Sequence, residues 1–184
     1  MKALPLFLAP LWFAWAAALP AQARSHLIAN VPFFPDKEYQ CGPAVLAGSL
    51  NFWGVAADME TLKKEFYLDK LKGSLPMDLV QAARKREVEA HIADLTLDQL
   101  KEELLKNRPV IALLNFGNRF VSKGHFILIT GFNDEKKGLF AHSGKEKNKF
   151  FPYKRFLKRW NRAGQTLILI RPKGEAIDHS NVRP

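Results

Sequence analysis

The hydrophobic period changes about halfway along the chain, and this change constrains the fold more than any other feature. In the N-terminal half, apolar residues recur at three- and four-residue intervals, as they do in amphipathic helices. In the C-terminal half, three nearly continuous apolar runs rich in β-branched residues indicate buried strands at residues 110–114, 126–130 and 167–170. Helices followed by strands predict an α+β fold, with an N-terminal helical lobe packed on an antiparallel β-sheet.

Four helices are predicted in the N-terminal half. The first begins at Cys41 and ends before Gly54. The other three are predicted to begin at Asp58, to span residues 74–87, and to begin at Thr96. Thr96 and Gln99 have the spacing of a capping box, in which each side chain accepts a hydrogen bond from the backbone of the other residue. A further strand is predicted at residues 87–93.

The first 23 residues have the pattern of a secretory signal peptide. A basic start at Lys2 precedes an uncharged apolar stretch, and Ala21-Gln22-Ala23 is an A-x-A cleavage site. A retained N-terminal anchor is the alternative, because the two kinds of segment overlap in length. We therefore divide the chain into a signal peptide at 1–23, one domain at 24–173 and a polar tail at 174–184 that is expected to be flexible. The mature protein is expected to be periplasmic or secreted.

Composition and charge narrow the classes of partner. Apolar residues make up 47% and charged residues 25% of the chain, the balance of a globular protein. The net charge of +10 predicts electrostatic association with anionic membrane or cell-wall surfaces. A nucleic-acid partner is not expected, because no binding motif accompanies the charge. The five histidines and one cysteine lack the spacing of a metal site, and no cofactor is expected. The sequence does not predict an oligomeric state.

One basic segment near the C-terminus has two interpretations. Its cationic residues are Lys154, Arg155, Lys158, Arg159 and Arg162. They surround Phe156, Leu157 and Trp160 on a predicted helix, which is compatible with a membrane-surface patch. We favour a solvated basic face above an aromatic core anchor.

Cys41, the single cysteine, has no partner for an intramolecular disulfide. In an exported protein such a thiol is either reactive or a small buried apolar residue. Its position at the start of a helix favours the reactive interpretation, because the free N–H groups and the helix dipole stabilise a thiolate there. The sequence therefore predicts a lowered pKa for the Cys41 thiol.

A nucleophilic thiol needs a proton acceptor, and His125 is the best placed of the histidines. It follows Gly124 and opens a predicted buried strand, so that its ring is held rigidly at the strand's mouth. A histidine in that position alone is more often a satisfied core residue. A thiol on the first helix together with an imidazole at the start of a sheet strand favours catalysis.

Several short motifs occur in order across the chain. They are Val31-Pro32-Phe33-Phe34-Pro35, Gln40-Cys41-Gly42-Pro43-Ala44, Gly73-Ser74-Leu75, Arg108-Pro109-Val110-Ile111, Gly124-His125-Phe126, Gly131-Phe132 and His142-Ser143-Gly144. In these motifs the sequence resembles the peptidase domain of bacteriocin-processing (double-glycine) transporters and its stand-alone exported relatives. That family belongs to the papain-like cysteine peptidase superfamily. The resemblance implies a papain-like fold and a peptide or protein substrate, hydrolysed with Cys41 as nucleophile and His125 as general base.

The sequence departs from the family pattern at two positions. The family usually has a glutamine a few residues before the cysteine, whose amide helps to bind the oxyanion. Pro35 and Asp36 occupy that region here, so Gln40 is the remaining candidate. The family also commonly orients its histidine with an aspartate on the following strand. The matching segment here has no acid, which leaves His142, a backbone carbonyl, or no group at all in that role.

Two alternatives to a peptidase remain. A papain-fold cell-wall (murein) amidase or endopeptidase uses a Cys-His-His set, which Cys41, His125 and His142 would imitate. A peptide-binding module of the same fold would keep the cleft but catalyse weakly, as the two departures from the family pattern suggest.

Overall fold

A computed structural model describes residues 24–36, 39–118, 120–175 and 182. The signal peptide predicted at residues 1–23 lies outside these residues. Within the described part of the chain, no helix is both long enough and apolar enough to cross a bilayer.

Five α-helices occur in the described residues. They are α1 (Cys41–Phe52), α2 (Met59–Phe66), α3 (Pro76–Arg84), α4 (Leu97–Leu105) and α5 (Tyr153–Asn161), and a 3₁₀ turn at Asp69–Leu71 lies between α2 and α3. The predicted bounds of α1 are confirmed. Gly54 adopts a φ of 77°, a left-handed conformation that lets the chain leave the helix. Leu46 and Leu50 on α1 are fully buried, so this helix forms the centre of the core.

Asp58, the predicted start of α2, is the N-cap of that helix, and the predicted capping box of α4 is confirmed. The Asp58 side chain accepts a hydrogen bond from Thr61 N at 2.9 Å. Thr96 Oγ1 accepts from Gln99 N at 3.2 Å, and Gln99 Oε1 accepts from Thr96 N at 2.8 Å. Each bond satisfies a backbone donor that a helix start leaves free.

Helix α3 is shorter than predicted at both ends. It begins at Pro76 rather than at Ser74, because a residue before proline avoids the helical conformation and Leu75 is extended. Its C-terminal end falls before Glu87, whose φ of 58° is left-handed. The difference shows how local backbone geometry overrides a hydrophobic pattern.

Seven strands form one antiparallel sheet. They are β1 (Ser25–Leu27), β2 (Val88–Ala93), β3 (Val110–Asn115), β4 (Gly124–Asn133), β5 (Gly138–Ser143), β6 (Glu146–Pro152) and β7 (Leu167–Pro172). The order is β2-β7-β3-β4-β5-β6, and β1 pairs with β4. The three predicted apolar strands lie within β3, β4 and β7, and the strand predicted at residues 87–93 is β2. Helix α1 packs against β4 and α3 against β2, which confirms the α+β fold.

The C-terminal region differs from expectation in one respect. Of the tail predicted to be flexible, the structure describes residues 174, 175 and 182. The Glu175 carboxylate pairs with Arg108, and Val182 forms a β-bridge with Ala93. These two tail residues therefore contact the domain, which the sequence did not predict.

Helix α5 has the buried aromatic anchor that the favoured interpretation requires. Phe156 and Trp160 are stacked with ring centroids 5.2 Å apart, and both are buried. Of the cations around them, Arg159 lies over the Phe116 ring with 4.0 Å from its guanidinium carbon to the ring centroid. Arg162 donates to the Gly117 carbonyl at 3.3 Å. Two of the five cations therefore support the loop that follows β3.

Candidate active site

The N-terminal end of α1 and the beginning of β4 meet at a cleft of about 710 Å³. Cys41 is the first residue of α1 and His125 the second residue of β4, and both line this cleft. The packing of α1 against β4 brings together two residues that are 84 positions apart in the chain. The structure thus places the two principal predicted site residues side by side.

Three side chains of the cleft lie within reach of one another. Cys41 Sγ, a ring nitrogen of His125 and a carboxylate oxygen of Asp36 are all within 4.8 Å of each other. All three residues remain partly exposed, so small solutes reach them from the cleft. This proximity gives the thiol and the imidazole the positions of a nucleophile and its proton acceptor.

The His125 ring has a polar contact at one nitrogen and an aromatic contact with a neighbouring ring. Its Nε2 lies 2.9 Å from Ser143 Oγ, and the Phe116 ring meets the imidazole edge-to-face at 5.5 Å. Burial, together with the nearby cations Lys149 and Lys123, lowers the pKa of His125 to about 4. The imidazole is therefore neutral at neutral pH, with Nδ1 left to face the thiol.

The expected thiolate is not favoured in this arrangement. Burial is the main cause that raises the pKa of the Cys41 thiol, and the Asp36 carboxylate raises it as well. The Phe126 N–H donates to Cys41 Sγ at 3.5 Å and opposes the rise. The predicted lowering of the thiol pKa is thus reversed, because desolvation and a neighbouring carboxylate outweigh the helix start.

Asp36 is a member of the site that the sequence did not identify. Its Oδ1 accepts a hydrogen bond from Gln40 N at 3.0 Å, and its own N–H donates to the Gly144 carbonyl at 2.8 Å. Burial raises the pKa of this carboxyl group. Asp36 lies in the region where the family usually has a glutamine. This difference was visible in the sequence and was the one signal that could have identified Asp36 as a site residue.

Gln40, the oxyanion candidate, points elsewhere. Its side chain is 7% exposed, and among the described residues it does not line the cleft at Cys41. Its Oε1 is a buried acceptor for which the described residues provide no hydrogen bond. The Phe126 N–H is the backbone donor recorded at the thiol, and the Cys41 N–H at the open end of α1 is a further candidate for the oxyanion.

His142, the candidate for orienting His125, is engaged by other groups. Its Nε2 donates to the Val31 carbonyl at 3.1 Å, and its Nδ1 accepts from Asn148 N at 3.1 Å. These bonds hold a neutral tautomer, and burial lowers the pKa of the ring. The group that contacts His125 is the adjacent Ser143, at the end of β5. Of the two β5 side chains, Ser143 and not His142 is therefore the one hydrogen-bonded to His125.

Comparisons with known proteins agree with this architecture. Residues 28–168 match the Peptidase_C39 like family. No curated protein sequence matches the chain significantly.

Several solved structures share the fold. A protein from Bacillus anthracis described as a C39-like peptidase is 18% identical, with a TM-score of 0.65 over 80% of this chain and 97% of its own. The peptidase domain of Streptococcus ComA, a bifunctional ABC transporter of a quorum-sensing pathway, is 22% identical, with a TM-score of 0.63 over 77% and 98%. A double-glycine motif protease from an AMS/PCAT transporter, solved with its leader peptide, is 22% identical, with a TM-score of 0.62 over 78% and 93%.

Proposed function

Because the chain belongs to the Peptidase_C39 like family, we propose that it is a cysteine peptidase that uses Cys41 as nucleophile and His125 as general base. The observation that carries the proposal is the meeting of a thiol at the start of α1 with a rigidly held imidazole at the start of β4, within 4.8 Å. Both groups line an open cleft large enough for an extended peptide.

The reaction starts from a neutral pair. His125 accepts the thiol proton as Cys41 Sγ attacks the peptide carbonyl carbon, and the negative charge moves to the carbonyl oxygen. The imidazolium then donates that proton to the leaving amine as the C–N bond breaks. Water, deprotonated by His125, hydrolyses the thioester and regenerates the thiol. The Cys41 N–H is positioned to donate to the oxyanion.

Ser143 is a weaker orienting group than a carboxylate. A hydroxyl fixes the ring through one hydrogen bond but does not stabilise the imidazolium by charge. We therefore propose a slow peptidase, with the nearby Asp36 carboxylate further disfavouring a negative sulfur.

A peptide-binding module is the second candidate, and the protonation states favour it. A thiol with a raised pKa beside an imidazole with a lowered pKa does not form the ion pair of an efficient cysteine peptidase. The cell-wall amidase alternative has less support, because both ring nitrogens of His142 are engaged away from the cleft.

Export is part of the proposal and rests on the sequence of residues 1–23. Mass spectrometry of the protein recovered from the periplasm or the medium is expected to give Arg24 as the N-terminus. Recovery of the uncleaved chain from membranes would instead support the retained anchor.

The test is peptide hydrolysis by the purified protein. A peptide carrying a double-glycine leader is a suitable first substrate, since a structural neighbour was solved with its leader peptide. Cleavage should be abolished in Cys41→Ala and reduced about a hundredfold or more in His125→Ala. Binding of the peptide without cleavage by the wild-type protein would favour the binding module. Soluble fragments released from murein sacculi would favour the amidase.

A further inference from the structure

Three different metal-binding atoms converge at the cleft. Asp36 supplies an oxygen from the segment before α1, Cys41 a sulfur from α1 and His125 a nitrogen from β4, all within 4.8 Å of one another. Oxygen, nitrogen and thiolate sulfur together are a ligand set typical of zinc. We propose that Asp36, Cys41 and His125 form a Zn²⁺ site, which occupies the nucleophile and holds the cleft inactive while the ion is bound.

The dimensions fit after a small contraction. Zinc bonds of about 2.0–2.3 Å in a tetrahedron place the donor atoms about 3.3–3.8 Å apart. Because the three donors lie within 4.8 Å of one another, they need to approach by at most about 1.5 Å. The fourth position faces the open cleft, where water completes the tetrahedron.

Each proposed ligand already has a second partner that orients it. Ser143 Oγ is bonded to His125 Nε2, which leaves Nδ1 for the metal. The Gln40 N–H holds one oxygen of Asp36, and the Phe126 N–H contacts Cys41 Sγ. Such outer contacts fix ligand orientation in metal sites and raise affinity.

In zinc binding the bonds and charges balance, and no atom changes its oxidation state. The S–H bond of Cys41 breaks, a Zn–S bond forms and one proton passes to solvent. His125 binds as a neutral ring and Asp36 as a carboxylate, so the protein contributes two negative charges to the ion.

The cleft also carries cations that oppose the ion. Lys123, Lys145 and Lys149 line it, and Glu146 is the second acid present among the described lining residues. This charge weakens binding relative to a closed structural zinc site, so we expect reversible occupancy. The effect on turnover rests on the proposed peptidase function, whereas binding itself does not.

Because Cys41 is the single cysteine of the chain, thiol alkylation reports on this site alone. The purified protein, freed of metal with a chelator, is titrated with Zn²⁺ against a chromophoric competitor to obtain Kd. Iodoacetamide labelling is then followed at increasing free Zn²⁺. Its rate should fall by the factor 1 + [Zn²⁺]/Kd, about elevenfold when free zinc is ten times Kd.

Two variants distinguish the proposed site from surface binding. Asp36→Asn keeps the side-chain volume and removes the charged ligand, and should raise Kd about tenfold or more. Glu146→Gln removes the other cleft acid, which is not one of the three donors, and should change Kd less than about threefold. Co²⁺ in place of Zn²⁺ should give a thiolate-to-metal absorption band that is lost in Cys41→Ser.

The proposal is overturned if no one-to-one binding occurs, or if Asp36→Asn and Cys41→Ser bind Zn²⁺ as tightly as the wild-type protein. Protection of the thiol in a protein that cleaves no peptide would refute the peptidase and leave the metal site standing. Peptide cleavage that is insensitive to Zn²⁺, by a protein that does not bind Zn²⁺, would support the peptidase and refute the metal site.

Discussion

The carboxylate of Asp36 lies beside both reacting groups and opposes a negative charge on sulfur. Where the resembled family has a neutral amide that helps to bind the oxyanion, this chain has an acid held by the Gln40 N–H. A charge within 4.8 Å of Cys41 Sγ raises the pKa of the thiol. Asp36 therefore limits the reactivity of the nucleophile in the absence of any metal.

Replacing Asp36 should make the thiol more reactive. In chelator-treated protein, Asp36→Asn is expected to lower the pKa of Cys41 and speed iodoacetamide labelling near neutral pH about three- to tenfold, the size expected of one partly screened charge. The control Glu146→Gln should label at close to the wild-type rate. Equal rates for Asp36→Asn and wild type would mean that desolvation alone sets the thiol pKa.

His142 is a structural histidine whose neutrality supports the fold. Burial lowers its folded pKa below the ordinary 6.5, so its contribution to stability is present above about pH 6.5 and is lost as the pH falls. His142→Gln should lower the free energy of unfolding by about 1–3 kcal/mol above neutral pH, because at least one buried hydrogen bond is lost.

The same variant should also change the acid dependence of stability. The stabilising contribution of neutral His125 is lost as the pH falls from 6.5 to about 4. The free energy of unfolding of the wild-type protein therefore falls with the protonation of two histidines, and that of the variant with the protonation of one. Urea unfolding at several pH values compares the slopes. Parallel curves for the two proteins would show that folding does not lower the pKa of His142.

At the scale of single residues, the sequence predicted those site residues whose positions are set by the helix or strand that carries them. Cys41 begins a helix and His125 begins a strand, and both assignments depend on local patterns. Asp36 and Ser143 joined the site through tertiary placement, since one lies in an irregular segment and the other at the end of β5. The choice between His142 and Ser143 depended on which face of β5 points to the cleft, and no single-strand pattern shows that.

At the scale of elements, α4 and β7 are joined by a largely buried ion pair. Arg171 on β7 is 3% exposed and pairs with Glu103 on α4, which also lies 3.7 Å from Arg108. Removing one partner of a buried pair is costly, because the remaining charge has lost its water as well as its partner.

Glu103→Gln should therefore lower the free energy of unfolding by about 2–4 kcal/mol. The matched control is Glu102→Gln on the same helix, whose exposed pair with Arg24 should contribute less than about 1 kcal/mol. Chemical denaturation of the three proteins gives the comparison. A similar small loss for both variants would show that Arg171 finds equivalent acceptors without Glu103.

Strands β1, β5 and β6 were not predicted, and for β6 and β1 the physical causes are clear. Strand β6 carries charged residues such as Lys147 and lies at the edge of the sheet, where the apolar pattern weakens. Strand β1 has three residues and exists through its pairing with β4. A Cβ on Gly131 would lie 2.4 Å from the His26 carbonyl oxygen, so the glycine in β4 marks the close approach of β1. That approach is a property of the pairing and not of either segment alone.

At the scale of the whole molecule, the net charge of +10 is concentrated in the C-terminal half, where residues 93–184 have 18 Lys and Arg against 9 Asp and Glu, whereas residues 1–92 have 10 against 9. On α5, Arg159 stacks on Phe116 and Arg162 binds a loop carbonyl, so part of this basic cluster is used within the protein. Lys154 and Lys158 remain exposed. Because the excess of cations extends over the C-terminal half and part of the α5 cluster is used within the protein, we expect a diffuse attraction of that half to anionic surfaces rather than a dedicated patch on α5.

Binding to lipid vesicles distinguishes a diffuse attraction from a dedicated patch on α5. The protein should bind vesicles containing anionic lipid and not zwitterionic ones, and the affinity should fall steeply as salt shortens the screening length. If the attraction is diffuse over the C-terminal half, the double variant Lys154→Gln/Lys158→Gln on α5 and the control Lys136→Gln/Lys137→Gln in the turn between β4 and β5 should weaken binding equally, by less than about tenfold, because each removes two exposed charges. A loss confined to the α5 variant would instead identify that helix as a membrane-facing surface.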